Sequence, residues 1–382
     1  MILSGLVLAG SCGCGKTTGS NDREKAGSGL AAGDGSGTRN TDALDETEDG
    51  ETDYFMNGSG AVIRRGRQLT IGFSQIGAES DWRLASSASM ENTFSIDNGY
   101  NLIFDNGQQK QENQIKAIRE FIDQGVDYIV LDPIVETGWT SSLKEAKEAG
   151  IPVIVVDREV RLDDDDLYTA WLGSDFRLEG DRACAWMKEF LGGSSDTPPG
   201  ILHIQGTIGS SAQIGRSQAL FHAAKENGWN ILQSVSGDFV QAKGKEVAEE
   251  ALKEYGDEIQ IIYVENDNMA YGAIEALEEF GKTAGTDLEA GEVMIISFDS
   301  AREGLEDTMS GKIAVDTECN PMYGPALSRL ILALDLGEPV EKKNYYEEEQ
   351  FSAYGPITSL TIGQTEYPVT MVTEELIKKR AF

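Results

Sequence analysis

From Leu69 onward, short apolar runs alternate with amphipathic stretches, and this alternation restricts the chain to an α/β fold. Between two of the runs, Ile115, Ile118 and Phe121 recur at helical spacing, and Gly125 follows where the helix should end. Apolar runs separated by such helices indicate a parallel sheet covered by helices. Four consecutive runs predict buried strands: LTIGFS (69–74), NLIFD (101–105), DYIVLD (127–132) and PVIVVD (152–157).

The same alternation repeats in the second half of the chain. Predicted helices over 267–280 and 321–335 separate or follow the strands of this second series. Two series of this kind predict two doubly wound, Rossmann-like lobes. The second set of predicted strands is GILHIQG (200–206), ILQSVSG (231–237), QIIYVE (260–265) and VMIISFD (293–299).

The first 68 residues lack this periodicity. Residues 1–12 are expected to be the end of a lipoprotein signal that exports the chain, with Cys12 as the lipidated residue. Residues 13–68, which are acidic and Gly-rich, are expected to form a disordered tether; a disordered cytosolic tail is the alternative. Residues 10–17 match the pattern G-x-x-x-x-G-K-[ST], but no strand precedes them and no helix can follow, so we expect no nucleotide there.

Charge and composition exclude several classes of function. The chain has 65 acidic and 32 basic residues, a formal net charge of -33, which argues against binding to nucleic acid or anionic lipid. Its two histidines rule out a multi-histidine metal site; His203 is expected in the core and His222 on the surface. No metal or cofactor is expected. The acidic run at 163–166 is interpreted as a solvated turn, and pairing of Cys184 with Cys319 is left open.

Polar side chains recur where the predicted strands end. Gln75, Asp105 and the pair Asp157–Arg158 follow strands of the first series, and Trp82 and Trp139 lie on the same rim. Asn266 and Asp299 follow strands of the second series. Each Asp or Asn could be only a helix N-cap. As a set, however, carboxylates, amides, an arginine and indoles suit the hydroxyls and C–H faces of a sugar held in a cleft between two lobes.

Several strings in this sequence resemble one known family. The matching strings include IGFSQIGAESDWR (71–83), DNGQQKQENQIKAIREFIDQGVD (105–127), SGDFVQAKGKEV (236–247) and ENDNMAYGAIEAL (265–277). On these strings, the chain from about Leu69 to the C-terminus resembles the ribose-type periplasmic sugar-binding proteins of ABC transporters, and within them the galactofuranose-binding branch. The resemblance implies a type I periplasmic binding fold whose chain crosses a three-strand hinge near Ser174, Asn320 and Lys343. The implied lobes are 69–173 plus 320–343 and 174–319 plus 344–382.

The resemblance also implies site residues. Glu318 lies where the third hinge strand of the family supplies a polar contact, although the neighbouring Cys319 departs from the common pattern. Asp105, Gln108 and Trp139 belong to motifs of the branch. The positions that match sugar-contacting residues of the family are Trp82, Arg83, Asp157, Arg158, Arg216, Asn266 and Asp299.

The expected function is therefore that of a non-enzymatic receptor. It would be a monomer, tethered to the membrane by lipid, that captures a monosaccharide and delivers it to an ABC permease. A dinucleotide enzyme is disfavoured because no G-x-G-x-x-G follows the first strand and no nucleophile–base set is visible. A transcriptional regulator would need a helix-turn-helix, which residues 1–68 lack. A sugar sensor that docks on a membrane receptor remains an open alternative.

Overall fold

The computed structural model describes residues 54–56, 62–64, 68–192 and 198–382. The strands are β1 Tyr54–Met56, β2 Val62–Arg64, β3 Leu69–Gln75, β4 Tyr100–Asn106, β5 Tyr128–Leu131, β6 Val153–Val156, β7 Ala170–Gly173, β8 Gly200–Gln205, β9 Asn230–Ser236, β10 Ile259–Val264, β11 Met294–Asp299, β12 Ile313–Glu318, β13 Lys343–Tyr345, β14 Gln350–Ser352, β15 Ser359–Ile362, β16 Thr365–Pro368 and β17 Thr370–Met371. The helices are α1 Asp81–Thr93, α2 Gln111–Gln124, α3 Thr140–Glu148, α4 Phe176–Leu191, α5 Ser211–Asn227, α6 Gln241–Tyr255, α7 Asp267–Glu279, α8 Arg302–Ser310, α9 Gly324–Asp335 and α10 Glu374–Lys379.

The first lobe is built on a parallel sheet with the strand order β13-β7-β6-β5-β3-β4. Its central strands are apolar on both faces because helices cover both. Ile129 and Leu131 belong to the cluster that contains residues of α2 and α3, whereas Val130 belongs to the cluster that contains residues of α1 and α9. Gly125 ends α2 in the left-handed conformation, with φ of 63°, as the sequence predicts.

The second lobe repeats this arrangement. Its sheet has the order β17-β14-β12-β11-β10-β8-β9, in which β12 and β14 are antiparallel. The run β9-β8-β10-β11-β12 has the same connectivity as β4-β3-β5-β6-β7 of the first lobe. The predicted α/β fold with two doubly wound lobes is therefore confirmed. In both sheets the strand order reverses beside the first strand of the lobe, which is where ligands bind in open α/β sheets.

The chain passes between the lobes three times. The crossings follow β7, β12 and β13. The predicted boundary at residue 343 differs slightly from the structure, because Lys343–Tyr345 pairs with Ala170–Gly173 and extends the first sheet. The second lobe resumes with β14, which pairs with β12.

One further difference concerns the predicted tether. The sequence predicted that the whole segment 13–68 is disordered. In the structure, Tyr54–Met56 and Val62–Arg64 within this segment pair as antiparallel strands. Loss of sequence periodicity does not exclude a pair of three-residue strands, which are too short to show an alternating pattern. Cys12 and the glycine-rich pattern at 10–17 lie outside the described residues.

The two histidines and the two described cysteines lie either in the core or on the surface. His203 is fully buried, and its Nδ1 and Nε2 lie 3.1 Å from Ser234 Oγ and 2.9 Å from Glu265 Oε1, which confirms a satisfied core histidine. His222 is exposed, as predicted. Cys184 and Cys319 are both buried and not bonded to each other. Among the described residues, no helix has the length and apolar character needed to span a membrane.

Candidate functional site

The principal candidate site is a cleft between the two lobes. It encloses about 310 Å³ of space not occupied by protein atoms, including its opening to solvent. The cleft is lined by Glu79, Ser80, Trp82, Arg83, Asp157, Arg158, Phe176, Ala212, Arg216, Phe239, Asn266, Asp299 and Cys319.

On the first lobe, the start of α1 positions Trp82 and Arg83. Ser80 caps the helix by accepting a hydrogen bond from Arg83 N at 3.2 Å, which directs the first turn toward the cleft. Trp82 Nε1 donates to Cys319 O at 2.6 Å, so the indole is anchored on the second crossing segment. The Arg83 guanidinium lies 4.6 Å from the centre of the Trp82 ring. The indole is therefore held between a cation and the hinge.

Arg83 is surrounded by carboxylates. It contacts Glu79 Oε1 at 3.2 Å and Asp157 Oδ2 at 3.1 Å, and it also donates to Asp132 at the end of β5. Burial disfavours the charged guanidinium, but the three carboxylates outweigh it and raise the pKa of Arg83. Burial raises the pKa of Asp132 despite its contact with Arg83. Gln75 also accepts a hydrogen bond from Arg83, at 3.3 Å, and so orients it from behind the cleft without lining it.

A second arginine of the first lobe reaches across the cleft. Arg158 Nη1 donates to Ile134 O at 2.9 Å, and its guanidinium lies 5.1 Å from the centre of the Phe239 ring on the second lobe. Burial, together with the nearby charge of Arg83, lowers the pKa of Arg158. Phe239 is itself buried and forms an apolar wall of the cleft.

The second lobe contributes a similar arginine–aspartate arrangement. Arg216 of α5 donates to Glu179 Oε2 at 2.7 Å, and its Nη2 lies 3.6 Å from Asp299 Oδ1. Burial raises the pKa of Asp299 even though Arg216 opposes the shift. Asn266 Oδ1 accepts a hydrogen bond from Met269 N at 3.0 Å, so this residue is the N-cap of α7 as well as a lining residue.

Backbone conformation distinguishes the two cleft aspartates from ordinary caps. Asp157 directly follows β6, and Asp299 is the last residue of β11, the strand that occupies the same place in the second sheet. Their φ angles are 55° and 105°. Non-glycine residues adopt positive φ rarely and at an energetic cost, which is typical of functional sites. Neither residue is the N-cap of a helix. The N-cap alternative therefore applies to Asn266 but not to these two aspartates.

The charges that line the cleft balance. Three arginines face three carboxylates, and two buried polar atoms of the lining, Glu79 Oε2 and Arg216 Nη2, have no hydrogen-bond partner among the residues that the structure describes. Buried polar atoms are normally paired, so these two are available to a ligand. The charged lining residues are Glu79, Arg83, Asp157, Arg158, Arg216 and Asp299.

Three of the predicted site residues lie away from the cleft in the first lobe. Asp105 lies near the end of β4, the edge strand of the sheet, and Gln108 follows that strand; neither is among the residues that line the cleft. Gln108 is exposed, and burial raises the pKa of the half-buried Asp105. Trp139 is fully buried in the core with Leu143 and Trp171, and its Nε1 donates to Val135 O at 2.7 Å. The structure therefore does not bring these three predicted substrate-binding residues into the cleft lining.

Glu318 also lies outside the cleft lining. Its Oε1 accepts from Arg380 at 2.7 Å, and its Oε2 accepts from Glu349 N at 2.9 Å. The C-terminal segment therefore uses the polar contact that the sequence assigned to the ligand. The structure thus brings seven of the twelve predicted site residues into the cleft lining: Trp82, Arg83, Asp157, Arg158, Arg216, Asn266 and Asp299.

Some lining residues were not predicted. Glu79 and Phe239 occur in two of the strings on which the resemblance rests, but neither was singled out. Phe176 follows directly after the first crossing, and an aromatic residue at such a crossing was a usable signal. For all three residues, the sequence shows that they lie just after a strand or a crossing. It does not show in which direction the side chain points.

One group near the hinge has potential metal donors. Side-chain atoms of Glu179, Cys319 and Glu348 lie within 4.8 Å of one another. Glu179 is already paired with Arg216, and Glu348 Oε1 accepts from Ser174 Oγ at 2.6 Å and from Asn320 N at 2.8 Å. These bonds tie the three crossing segments together, and we assign no ion to the group.

Comparison with known proteins identifies the family. The sequence profile described as a periplasmic binding protein domain matches residues 71–324. The chain belongs to the periplasmic binding protein family. The galactofuranose-binding protein YtfQ of Escherichia coli is similar, at 40% identity over 267 residues that cover 69% of this chain and 81% of the relative.

Two solved structures resemble this periplasmic binding protein. One, from Mycobacterium smegmatis in complex with β-D-fucofuranose, has a TM-score of 0.70 and 39% identity, covering 74% of this chain and 91% of that chain. The other, the binding component of the arabinose ABC transporter from Shewanella sp. ANA-3 with L-arabinofuranose, has a TM-score of 0.69 and 36% identity, with 74% and 91% coverage. The Escherichia coli and Shewanella proteins are binding proteins by name, and the prediction of a non-enzymatic protein is confirmed. An extracytoplasmic location follows from the family.

Proposed function

We propose that this periplasmic binding protein captures a monosaccharide in its furanose form, galactofuranose or a related pentose or hexose, and delivers it to an ABC permease. The observation that carries the proposal is the balanced lining of the cleft. Three buried arginines and three carboxylates leave no net charge for an ionic ligand to neutralise, yet they offer many hydrogen-bond donors and acceptors. A neutral polyhydroxylated ligand fits that lining.

The arrangement of the lining residues gives each a role with such a ligand. Asp157 and Asp299 would accept hydrogen bonds from hydroxyl groups on opposite sides of the ring, while Arg158 and Arg216 would donate charge-assisted hydrogen bonds to the sugar oxygens. Aromatic rings would cover its C–H faces. The furanose form is supported by the sugars named for the similar proteins: galactofuranose, fucofuranose and arabinofuranose.

The N-terminal 68 residues extend the proposal to the membrane. A lipid on Cys12 would anchor the chain, and residues 13–53 would act as the spacer. The chain would act as a monomer, because a cleft formed between its own lobes needs no second copy. The net charge of -33 would keep the lobes from adsorbing to anionic lipid, so that they remain free to meet a permease.

The test is a binding screen with the purified full chain. Galactofuranose, arabinose and a panel of pentoses and hexoses are titrated while tryptophan fluorescence and thermal unfolding are recorded. Trp82 lines the cleft, so Trp82→Phe should remove most of the fluorescence change, whereas Trp229→Phe on the second lobe should not. If no sugar changes either signal in the wild-type chain, the proposed function is wrong.

A further inference from the structure

Hydrogen bonds join the two lobes on both sides of the cleft, outside its lining. On one side, Glu136 N donates to Gly209 O at 3.0 Å, and Glu159 N donates to Ser211 Oγ at 2.8 Å. On the other side, Asp81 and Asn268 bind each other. These contacts exist only while the lobes are together, because each joins one lobe to the other.

The Asp81–Asn268 pair is reciprocal. Asp81 N donates to Asn268 Oδ1 at 3.2 Å, and Asn268 Nδ2 donates to Asp81 Oδ2 at 3.2 Å. Asp81 is the first residue of α1, and Asn268 is the second residue of α7. The N–H groups of a first helical turn have no partner inside the helix, so the Asp81 amide is satisfied by the opposite lobe.

Electrostatics gives this pair a further role. The N-termini of α1 and α7 meet across the rim, and both ends carry partial positive charge. The Asp81 carboxylate lies between them and offsets that charge at both helices. Neither Asp81 nor Asn268 lines the cleft, so their effect on a ligand is indirect.

We infer that Asp81 and Asn268 are positioning residues that hold the lobes closed and so set how long a ligand stays bound. The inference rests on the proposed function for its ligand, whereas the hydrogen bonds of the pair join the two lobes directly. A contact present only in the closed state raises the closed population, and apparent affinity rises in proportion. The effect appears in the dissociation rate, since a ligand can leave only when the lobes separate.

A charge-swap series tests the pair. In Asn268→Asp, two carboxylates face each other and one hydrogen bond is lost, so the dissociation rate constant of a bound sugar should rise about 10-fold. The double variant Asp81→Asn with Asn268→Asp restores an amide opposite a carboxylate and should return the rate to within about 2-fold of wild type. Rates are measured by stopped-flow fluorescence with the sugar that binds most tightly in the screen.

A matched control uses the same chemistry within one lobe. Gln241 Nε2 donates to Glu275 Oε1 at 2.8 Å on the surface of the second lobe. Gln241→Glu creates the same carboxylate pair there and should leave the dissociation rate unchanged. An unchanged rate in Asn268→Asp, or a double variant as fast as the single one, overturns the inference.

A ligand-free measurement separates this inference from the proposed function. Small-angle X-ray scattering of the unliganded chain should give a larger radius of gyration for Asn268→Asp than for wild type and Gln241→Glu, and the double variant should recover the wild-type value. If no sugar binds the wild-type chain, the proposed function fails while the scattering series still decides on the pair. An identical radius in all four proteins would overturn it.

Discussion

Arg83 is expected to contribute more to the free energy of unfolding than any exposed arginine, because it offsets the charge of three buried carboxylates. Its side chain is 4% exposed, and those of Glu79, Asp132 and Asp157 are 3%, 0% and 6% exposed. Replacing Arg83 with Met keeps much of the apolar volume but removes the cation that is bonded to all three carboxylates, and leaves only the more distant Arg158 to offset their charge. Breaking a buried ion pair costs about 3–5 kcal/mol, a large part of the roughly 5–15 kcal/mol that stabilises a folded domain.

The pH dependence of this loss identifies its cause. Burial already raises the pKa of Asp132 in the wild-type protein, and removal of Arg83 will raise it further. The folded variant will therefore bind protons that the unfolded chain, with ordinary pKa values near 4, has released. The difference in unfolding free energy between wild type and Arg83→Met should therefore grow as the pH rises above about 4, where carboxyl groups of the unfolded chain lose their protons.

The assay is urea unfolding followed by far-ultraviolet circular dichroism at several pH values. Arg119 provides the matched control, since it makes two hydrogen bonds to Glu145, at 2.7 and 2.9 Å, but its side chain is 50% exposed. Arg119→Met should cost no more than about 1 kcal/mol. If Arg83→Met costs as little as Arg119→Met at pH 7, or if its cost does not change with pH, the reasoning about compensated carboxylates is refuted.

Two further predictions concern the cleft and the core of the second lobe. Arg158→Ala should raise the sugar Kd about 10-fold or more in calorimetric titration, because a charge-assisted donor is lost from a buried site. The control Arg161→Ala, which changes an exposed arginine, should leave the Kd unchanged. Equal affinity in wild type, Arg158→Ala and Arg161→Ala would mean that no ligand uses Arg158. Burial raises the pKa of Asp316 to about 7, so the folded state holds a proton that the unfolded state releases near pH 4, and the stability from Asp316 falls as pH rises from about 4 to 7. Asp316→Asn should flatten that part of the curve of unfolding free energy against pH, and a variant curve parallel to wild type would contradict the assignment.

The sheet strands could be predicted from sequence because their signal is local. Strands such as Val153–Val156 are buried on both faces and appear as uninterrupted apolar runs with polar residues at their ends. The cleft aspartates follow from the same signal, since the carboxyl ends of parallel strands meet at one edge of a sheet. Asp157 and Asp299 are visible in this way without any knowledge of the other lobe.

Strand order and side-chain direction could not be predicted in the same way. Whether a strand end lines the cleft depends on its place in the sheet, which is a long-range property. Asp105 lies near the end of an edge strand and Gln108 follows that strand, and neither lines the cleft. Trp82 and Trp139 both follow strand ends, yet one indole lines the cleft and the other fills the core. Their directions depend on packing against residues distant in the sequence.

The repeated arginine–aspartate pairs have a consequence for how the cleft opens. Each lobe offsets the charge on its own side of the cleft with an ion pair: Arg83 with Asp157 in the first lobe and Arg216 with Asp299 in the second. Separating the lobes therefore divides the site into two neutral surfaces and pulls no opposite charges apart. The electrostatic work of releasing a neutral ligand is therefore small. The lobes can open and close with little dependence on ionic strength, although the protein as a whole is strongly acidic.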